Sequence, residues 1–484
     1  MEYIENRTFD EIRLGDTAAL TRTLSRQDIE LFAVMSGDVN PAHVDQEYAR
    51  SDMFHKIIAH GMWGASLIST LLGTKLPGPG AIYISQTLRF LRPVAVGDTI
   101  TVTVTVADRD EARHHVTFDC KCANQSGEVV ISGTAQVLAP TEKVKRPRIV
   151  LPEVVMLDQG AQCRRLIGQA SGMEPVCPVR MAIVHPVDRA TLVGVADAAQ
   201  ANLIIPVLVG PDDRIRAAGA EAGIDLSPYK IVPTEHSHVA ATQAVAMARK
   251  GEVDALMQGS LQTDELMQAV VGTGTGAEMG TGTARNDGLG TGRLMSHVHL
   301  LDVPTYPRPL LLTDAALNIY PDLEAKRQIV QNAIDLAHAL GINNPKVAVL
   351  SAAETVNPSI RSTVDAAALC KMADRGQISG GVLDGPLEFD SAVSEEAARI
   401  KGITSPVAGK ADILVAPDLE AGEMLAKQLE YLAEAQSANI VLGARVPVVF
   451  TSSTSTSLTR MASCALAALL AHAKRSQNRN PLQP

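Results

Sequence analysis

The hydrophobic pattern of the chain changes once, and this change separates two regions of different fold class. Up to residue 138, apolar and polar residues alternate, as in "TITVTVTV", which places Ile100, Val102 and Val104 on one face of a strand. From residue 153, short runs of β-branched residues alternate with helical patterns, and this alternation is typical of parallel βαβ units. These runs are "RMAIVHP", "IPVLVG", "YKIVPT", "VDALMQGS", "KVAVLSA", "GGVLDGP", "ADILVAPD" and "VPVVFTSS".

Two helical segments precede the strands of the first region. The segment "SRQDIELFAVMSG" is an amphipathic helix with Ser25 as its N-cap, and a second helix begins near His60. The strand "AIYISQTLRF" is predicted to place Ile82, Ile84 and Leu88 on one face. A long helix followed by a meander of strands predicts an α+β domain in which the sheet wraps around one helix.

The segment 139–152 interrupts both patterns and is interpreted as a linker. Its sequence, "APTEKVKRPRIVLP", contains three prolines and four basic residues. The predicted domains are therefore 1–138 and 153–478, and the second is expected to consist of two α/β subdomains. A Gly/Thr-rich loop from Gly272 to Gly292 interrupts the second domain.

Composition excludes several classes of protein. The formal net charge of −10 argues against a general polyanion-binding surface, and 3% aromatic residues argue against base stacking, so no nucleic-acid partner is expected. The most apolar tail segment, "MASCALAALLAHA", has about a dozen residues, whereas a membrane span needs roughly 20. The start of the chain lacks the apolar run of a signal peptide. The cysteine spacing contains no metal motif and suggests reduced thiols, so we expect a cytoplasmic protein without a metal.

The octapeptide "SGDVNPAH" places a carboxylate, Asp38, five residues before an imidazole, His43. Asn40 is suited to cap a helix and Pro41 to the first helical position, so His43 falls at the third position. Helical side chains lean toward the N-terminus, which tilts the imidazole back over the loop that carries Asp38. The alternative is that Asp38 satisfies local N–H groups while His43 is a solvated helix residue.

The segment "AHGM" provides a second feature of this region. Gly61 stands at the start of the long helix, where backbone N–H groups could stabilise an oxygen on which negative charge develops. A close contact between helix and strand would also explain this glycine.

Three segments of the first region together resemble the MaoC-like (R)-specific enoyl-CoA hydratases of the hot-dog fold. They are "FAVMSGDVNPAHVDQEYA", "AHGMWGAS" and "LPGPGAIYISQTLRFLRPVAVGD". The resemblance covers about 130 residues and implies that Asp38 and His43 are the catalytic dyad. Water would add to C3 of a trans-2-enoyl thioester and a proton to C2, with the roles of base and acid unassigned between the two residues.

The same resemblance implies further binding residues. Asn40 would hold the loop, and His60 and Gly61 would contact the substrate, with the Gly61 N–H binding the thioester oxygen. Ser66 matches a serine in the pocket of the family. The family builds its site across a dimer of hot-dog domains, so a homo-oligomer, dimeric or higher, is expected.

The second candidate site lies in "VPVVFTSSTSTSLTRMASCALAALLAHA", which reads as a strand, a hydroxyl-rich turn and a helix. Backbone N–H groups at the start of the helix, together with several hydroxyls, would form an anion pocket. The alternative is a Ser/Thr-rich cap that merely solvates a loop.

Several segments of the second region closely resemble the phosphate acetyl/butyryltransferase family. They include "ETVNP", "AAALCKMADRGQISGGVLDGPLEFD", "SPVAGKADILVAPDLEAGEMLAKQL" and "VLGARVPVVFTSS". The resemblance covers about 320 residues and implies transfer of an acyl group between CoA and inorganic phosphate, with Ser452 near the thiol. The order of the two domains is similar to the known fusion of a hydratase with a phosphate acyltransferase.

The chain departs from this family where charged or amide side chains are usual. Hydroxyls replace the arginine and the aspartate of a "TSRAD" pattern, and two usual lysines are also replaced. An arginine gives phosphate a bidentate, permanently charged partner that hydroxyls do not replace. We therefore expect acyl transfer to be weakened or absent, with Arg460 as the remaining candidate for phosphate. The departures are Ser453, Ser455, Gln258, Thr355 and, in place of an asparagine, Glu423.

The resulting prediction is an enoyl-CoA hydratase fused to a phosphate acyltransferase, acting on CoA thioesters and phosphate without a cofactor. The alternative is that the second domain is a non-catalytic scaffold that binds CoA or holds the hydratase domains in a multimer.

Overall fold

The chain forms two compact units, residues 1–156 and 157–484. The computed structural model describes residues 3–149, 154, 157–172, 178–272, 288–452 and 454–479. Three sequence predictions lie wholly or largely outside the described residues: Ser453, the last residues of the predicted linker, and most of the Gly272–Gly292 loop.

The first unit contains seven strands, four α-helices and a short 3-10 helix within its described residues. The strands are β1 (Tyr3–Glu5), β2 (Thr17–Thr23), β3 (Ile82–Phe90), β4 (Thr99–Asp110), β5 (His115–Ala123), β6 (Val129–Leu138) and β7 (Lys145–Pro147). The helices are the 3-10 helix Phe9–Glu11, α1 (Arg26–Ser36), α2 (Pro41–Val44), α3 (Gln46–Ser51) and α4 (Gly61–Thr74).

A five-stranded antiparallel sheet, in the order β2-β4-β5-β6-β3, packs against α4, which confirms the hot-dog prediction. The alternation predicted for β4 is observed, since Ile100, Val102 and Val104 are buried. They pack with apolar residues of α4 such as Ile68 and Leu71, because one face of the sheet and one side of the helix must leave water together.

The strand β3 departs from its predicted pattern. A register shift lies between Tyr83 and Ser85, and beyond it the alternation of inward and outward side chains is offset. As a result Ile82 and Ile84, which were predicted to share a face with Leu88, are exposed, while Leu88 is partly buried against the core.

Part of the segment interpreted as a linker is ordered against the first unit. Strand β7 pairs antiparallel with β1, and Val144 N donates a hydrogen bond to Asn6 Oδ1 at 2.9 Å. These contacts attach residues up to Pro147 to the first unit, and the exact domain boundaries remain a prediction.

The second unit contains eleven strands and eleven helices within its described residues. The strands are β8 (Val179–Val184), β9 (Ile204–Gly210), β10 (Lys230–Pro233), β11 (Ala255–Gln258), β12 (Ser296–Asp302), β13 (Leu310–Thr313), β14 (Lys346–Leu350), β15 (Val382–Leu387), β16 (Ile413–Val415), β17 (Gln436–Leu442) and β18 (Val448–Val449). The helices are α5 (Ala161–Ser171), α6 (Arg189–Gln200), α7 (Asp212–Ala222), α8 (Ser237–Arg249), α9 (Thr263–Val271), α10 (Leu323–Ala339), α11 (Arg361–Asp374), α12 (Phe389–Val393), α13 (Glu395–Ile400), α14 (Leu419–Leu432) and α15 (Ser457–Arg479).

One mixed sheet runs through the second unit, in the order β10-β9-β8-β11-β18-β17-β12-β13-β16-β14-β15. Both ends of the sheet are parallel, in agreement with the predicted α/β subdomains. The centre is antiparallel, because β12 pairs antiparallel with both β17 and β13. The three antiparallel strands β17, β12 and β13 were not predicted from the sequence, and they join the two subdomains into one sheet.

Within the described parts of the chain, no helix combines the length and the apolar character that crossing a bilayer requires.

Candidate active sites

The loop that carries Asp38 is shaped by the ends of two helices. Helix α1 ends at Gly37, whose left-handed conformation (φ 74°) is accessible to glycine at little cost. Helix α2 begins as predicted: Asn40 Oδ1 accepts a hydrogen bond from Ala42 N at 3.1 Å, and Pro41 occupies the first position. Asn40 therefore holds the loop as expected, and His43 stands at the third helical position.

Asp38, His43 and His60 converge on one point. A carboxylate oxygen and one ring nitrogen from each histidine all lie within 4.8 Å of one another. The two imidazole rings are 3.9 Å apart between centroids, with their planes inclined by 35°. The structure thus brings together the predicted carboxylate and imidazole, and it adds His60 as a second imidazole beside them.

Backbone carbonyls fix the tautomers of both histidines. His43 Nδ1 lies 2.9 Å from the carbonyl oxygen of Ile58, and a carbonyl only accepts, so Nδ1 carries the proton. In the neutral ring, Nε2 of His43 is then left with a lone pair, the form that a general base requires. His60 Nε2 likewise donates to the carbonyl oxygen of Asp38 at 2.9 Å, which ties the loop to the start of α4.

A cavity of about 330 Å³ opens beside these histidines. His43, His60 and Gly61 contribute to its lining, and the remaining wall is mostly apolar. A Cβ atom on Gly61 would lie 3.0 Å from Cε1 of Phe90, so any side chain there would press on the aromatic ring. Gly61 therefore keeps the cavity open at the N-terminus of α4. The other lining residues are Phe54, Ile58, Ala59, Trp63, Gly64, Phe90, Leu91, Arg92, Pro93, Val94, Ile100, Val130 and Ile131.

Ser66 does not join this cavity, contrary to the expectation of a pocket serine. Its hydroxyl donates to the carbonyl oxygen of Trp63 at 2.7 Å, and the residue is exposed on α4. Serine in a helix often bonds to the preceding turn in this way, which turns the hydroxyl back onto the helix.

The second site is built where parallel strands end side by side. Because β11 and β18 are parallel neighbours, their carboxyl ends meet, and Thr451 Oγ1 donates to the carbonyl oxygen of Gln258 at 2.9 Å. In the following turn, the hydroxyl of Ser452 lies 2.9 Å from that of Thr454 and 3.2 Å from that of Ser455. The predicted hydroxyl-rich turn is thus a connected network that leads into α15.

Arg460 lies behind this turn instead of in the cavity. Its guanidinium donates to the carbonyl oxygen of Ser452 at 2.9 Å and to that of Ser455, and the residue is only 3% exposed. Burial lowers the pKa of Arg460, and the charge of Asp188 opposes that shift. We expected Arg460 to bind phosphate directly, whereas these bonds make it the residue that holds the turn in place.

A cavity of about 300 Å³ lies in front of the turn. Of the positions at which the sequence departs from the pattern of the family that it resembles, Gln258, Ser455 and Glu423 reach this cavity. Thr355 does not line it and is exposed. The full lining is Gln258, Thr263, His297, His299, Ala316, Glu423, Lys427, Glu430, Tyr431, Ala435, Gln436, Ser437, Asn439, Phe450, Thr451, Ser452, Thr454, Ser455, Thr456 and Thr459.

Two histidines and two charged residues of this cavity were not predicted from the sequence: His297, His299, Lys427 and Glu430. The histidines alternate in "SHVHLLD", and a period of two places both on one face of β12. Lys427 and Glu430 are one turn apart on α14, with Glu423 one turn earlier. A paired-histidine strand and a charged helix face were therefore the available signals.

Lys427 and Glu430 form a linked pair in the cavity wall. Lys427 Nζ lies 2.8 Å from Glu430 Oε2, and Ser437 Oγ donates to Glu430 Oε1 at 2.7 Å. Burial opposes both charges, but these contacts outweigh it, so the pKa of Glu430 is lowered and that of Lys427 is raised. Among the described residues that line this cavity, Lys427 is the only lysine or arginine.

Comparisons with known proteins match each unit separately. The family "MaoC like domain" matches residues 14–123, and the family "Phosphate acetyl/butaryl transferase" matches residues 237–468. A phosphate acetyltransferase from Rhizobium meliloti is 53% identical over 318 residues, which are 66% of this chain and 96% of that protein.

Two solved structures are also similar to parts of the chain. A branched-chain phosphotransacylase from Enterococcus faecalis is 28% identical with a TM-score of 0.52, and the match covers 61% of this chain and 99% of that one. The R-hydratase PhaJ1 from Pseudomonas aeruginosa is 39% identical with a TM-score of 0.31, over 32% of this chain and 99% of that one. The chain is a member of the phosphate acetyl/butyryltransferase family that carries a MaoC-like domain at residues 14–123.

Proposed function

We propose that this enzyme hydrates trans-2-enoyl-CoA to (R)-3-hydroxyacyl-CoA in its first unit and transfers acyl groups between CoA and phosphate in its second. The observation that carries the first activity is the convergence of Asp38, His43 and His60 within 4.8 Å. Membership of the transferase family supports the second activity.

Hydration requires a base for water and a proton for C2 of the substrate. His43 Nε2 has the lone pair to remove a proton from water as the oxygen bonds to C3, and Asp38 orients that water. The proton then passes to C2, so His43 and Asp38 end the turnover in the protonation states in which they began it. The thioester oxygen gains negative charge during this step, and the N-terminal turn of α4 at Gly61 stabilises that charge.

Acyl transfer requires a site for phosphate and a group near the CoA sulfur. The hydroxyls of Ser452 and its neighbours, at the start of α15, provide donors for phosphate oxygens. The cavity is poor in cations because Lys427 is paired with Glu430. We therefore propose that transfer occurs with weak affinity for phosphate, as the departures from the family pattern predict.

CoA thioesters and phosphate are the proposed substrates, and no cofactor enters either reaction. The cytoplasmic location expected from the sequence remains a prediction.

We also propose that two copies of the chain associate through β3. This strand forms one edge of its sheet, with a free row of backbone hydrogen-bonding groups. Ile82, Ile84 and Phe90 on it are 59%, 43% and 53% exposed, which is unfavourable for an unpaired edge. Because Phe90 also lines the first cavity, pairing at this edge would complete a wall of the site. Light scattering on Ile84→Lys, compared with the wild type, tests this arrangement through the molar mass.

Parallel assays on one preparation test the proposed function. With crotonyl-CoA, enoyl-thioester absorbance should fall without release of free thiol, because a thioesterase would instead release thiol. With acetyl-CoA and phosphate, free thiol should appear only when phosphate is present. The comparisons do not favour the alternative of a non-catalytic scaffold, and phosphate-dependent consumption of acetyl-CoA would exclude it.

A further inference from the structure

His299 is a buried imidazole whose ring nitrogens both lack a hydrogen-bond partner. It lies on the central strand β12, opposite Asn439 of β17 and Leu312 of β13, and is 5% exposed. Both Nδ1 and Nε2 are buried and unpaired, although the residue lines the second cavity. An unsatisfied buried polar group destabilises a fold, so one at a cavity wall needs an explanation, and a role in catalysis is one such explanation.

A carboxylate faces this imidazole across the cavity wall. Glu423 Oε2 lies 3.9 Å from His299 Nε2, and burial raises the pKa of Glu423. The carboxylate is placed to stabilise a positive charge on the ring, because opposite charges attract strongly away from bulk water. The pair joins a strand and a helix, β12 and α14, which fixes its geometry.

Burial keeps the imidazole of His299 neutral in the substrate-free enzyme. Burial lowers its pKa to about 4; the negative charge of Glu430 opposes this shift and the positive charge of Lys427 adds to it. The adjacent His297 is also kept neutral by burial, which lowers its pKa well below the usual value. Neutral His299 carries a lone pair, and an incoming phosphate dianion would raise its proton affinity.

Two charged groups of the same cavity, Glu430 and Lys427, are already engaged with other partners. Glu430 accepts bonds from Lys427 and Ser437 through its two oxygens, and Lys427 is protonated. The hydroxyls of Ser452 and Ser455 bond within the turn and are much weaker bases than imidazole. His299 with Glu423 is thus an imidazole–carboxylate pair in the cavity wall whose ring nitrogens make no close hydrogen bond.

We propose that His299, supported by Glu423, takes the proton of the CoA thiol during acyl transfer, an assignment that rests on the proposed function of the second unit. In the direction from acyl phosphate to thioester, the CoA sulfur bonds to the acyl carbon while its proton moves to His299. The bond from that carbon to the phosphate oxygen breaks, and the electron pair leaves with phosphate. The S–H proton becomes far more acidic as the new bond forms, which allows a weak base to accept it.

The test measures thioester formation from acetyl phosphate and CoA between pH 7 and pH 9.5. At pH 7, His299→Gln should lower kcat about 100-fold and Glu423→Gln about 10-fold, within the range of general-base effects. A free thiol ionises increasingly as the pH rises above about 8.5, the value for cysteine, so CoA depends less on a base at high pH, and the deficit of both variants should shrink to below about 5-fold at pH 9.5. Glu420→Gln, on the exposed side of the same helix, is the matched control.

Hydration of crotonyl-CoA by the first unit reports the amount of protein in each preparation, and the melting temperature of the second unit reports whether each variant is folded. If His299→Gln fails to fold, Glu423→Gln still tests the role of the pair, because the side chain of Glu423 is half-exposed and its replacement disturbs the fold less. A loss that is equal at every pH, or no loss, overturns the role of His299 while acyl transfer stands. A wild-type protein that makes no thioester from acetyl phosphate and CoA overturns the proposed function of the second unit itself.

Discussion

A Cβ atom on Gly61 would lie 3.0 Å from Cε1 of Phe90, so a side chain at the first residue of α4 would have to displace the aromatic ring. The contact joins the helix start, which we assign to the thioester oxygen, to the edge strand β3. Gly61→Ala should therefore push the ring of Phe90 and narrow the cavity, lowering kcat/KM for crotonyl-CoA at least 10-fold. Steady-state kinetics checks this loss.

A second change tests whether the steric contact is the cause. Phe90→Leu removes the ring edge, so the double variant should recover part of the activity that Gly61→Ala loses. No recovery would mean that the alanine acts on the helix start itself. Gly73→Ala on the same helix, where a Cβ meets nothing within 4 Å, is the control and should keep full activity.

Arg460→Lys should impair acyl transfer by loosening the turn. The guanidinium bonds two carbonyl oxygens of the turn, and a hydrogen bond to a charged group contributes about 1.5–3 kcal/mol. We expect a lower melting temperature for the second unit, lower transfer kcat and unchanged hydration. Calorimetry and the two assays measure this. A selective rise in KM for phosphate at unchanged stability would instead restore the direct phosphate contact that the sequence suggested.

Two departures from the family pattern provide a matched pair. Gln258 lines the second cavity whereas Thr355 does not, although lysine is usual at both positions in the family that the sequence resembles. Gln258→Lys adds a cation beside the hydroxyl turn and should lower KM for phosphate several-fold. Thr355→Lys should leave it unchanged. Equal effects of both changes would show that general surface charge, not the cavity, governs phosphate binding.

The cluster around Lys401 should make stability depend on pH. Lys401 Nζ lies 2.7 Å from Glu354, 2.7 Å from Glu388 and 2.8 Å from Asp390. The hydrogen bonds that Lys401 donates to these carboxylates lower the pKa of Glu354 and of Asp390 and raise the pKa of Lys401 itself.

These pKa shifts determine how the stability of the folded protein changes with pH. Because the folded carboxyls have lowered pKa values, their contribution is complete above the ordinary value of 4.5 for Glu354 and is lost as pH falls through the lowered values. Lys401→Gln should therefore lower the melting temperature near pH 7, and its difference from the wild type should vanish in acid. Thermal unfolding from pH 2 to pH 8 measures it, and a pH-independent difference would contradict the account.

The sequence predicted most of what depends on local pattern. The N-cap at Ser25, the helix start at Asn40–Pro41 and the alternation of β4 follow from residue preferences that act over a few positions, and all are observed. The missed features depend on contacts between distant segments. The offset of β3 depends on its pairing with β6, and the antiparallel centre of the large sheet depends on strands β17, β12 and β13 meeting.

The same distinction applies to the sites. Asp38 and His43 are five residues apart, so loop and helix geometry allows them to meet, and the resemblance to the hydratases led to the prediction that they do. Arg460 is close in sequence to the hydroxyl turn, but only the packing against the turn's carbonyl oxygens shows that it lies behind it. His299 and Glu423 are far apart along the chain, and no local pattern connects them.

The central claim is that Asp38 and His43 act together on one activated double bond, and Asp38→Asn tests it most directly. The amide keeps the size of the side chain but removes the charge that orients water, so hydration of crotonyl-CoA should fall at least about 100-fold. Oligomer size and acyl transfer should be unchanged, and Glu47→Gln, an exposed change on α3, should be fully active. A fully active Asp38→Asn variant would contradict the account.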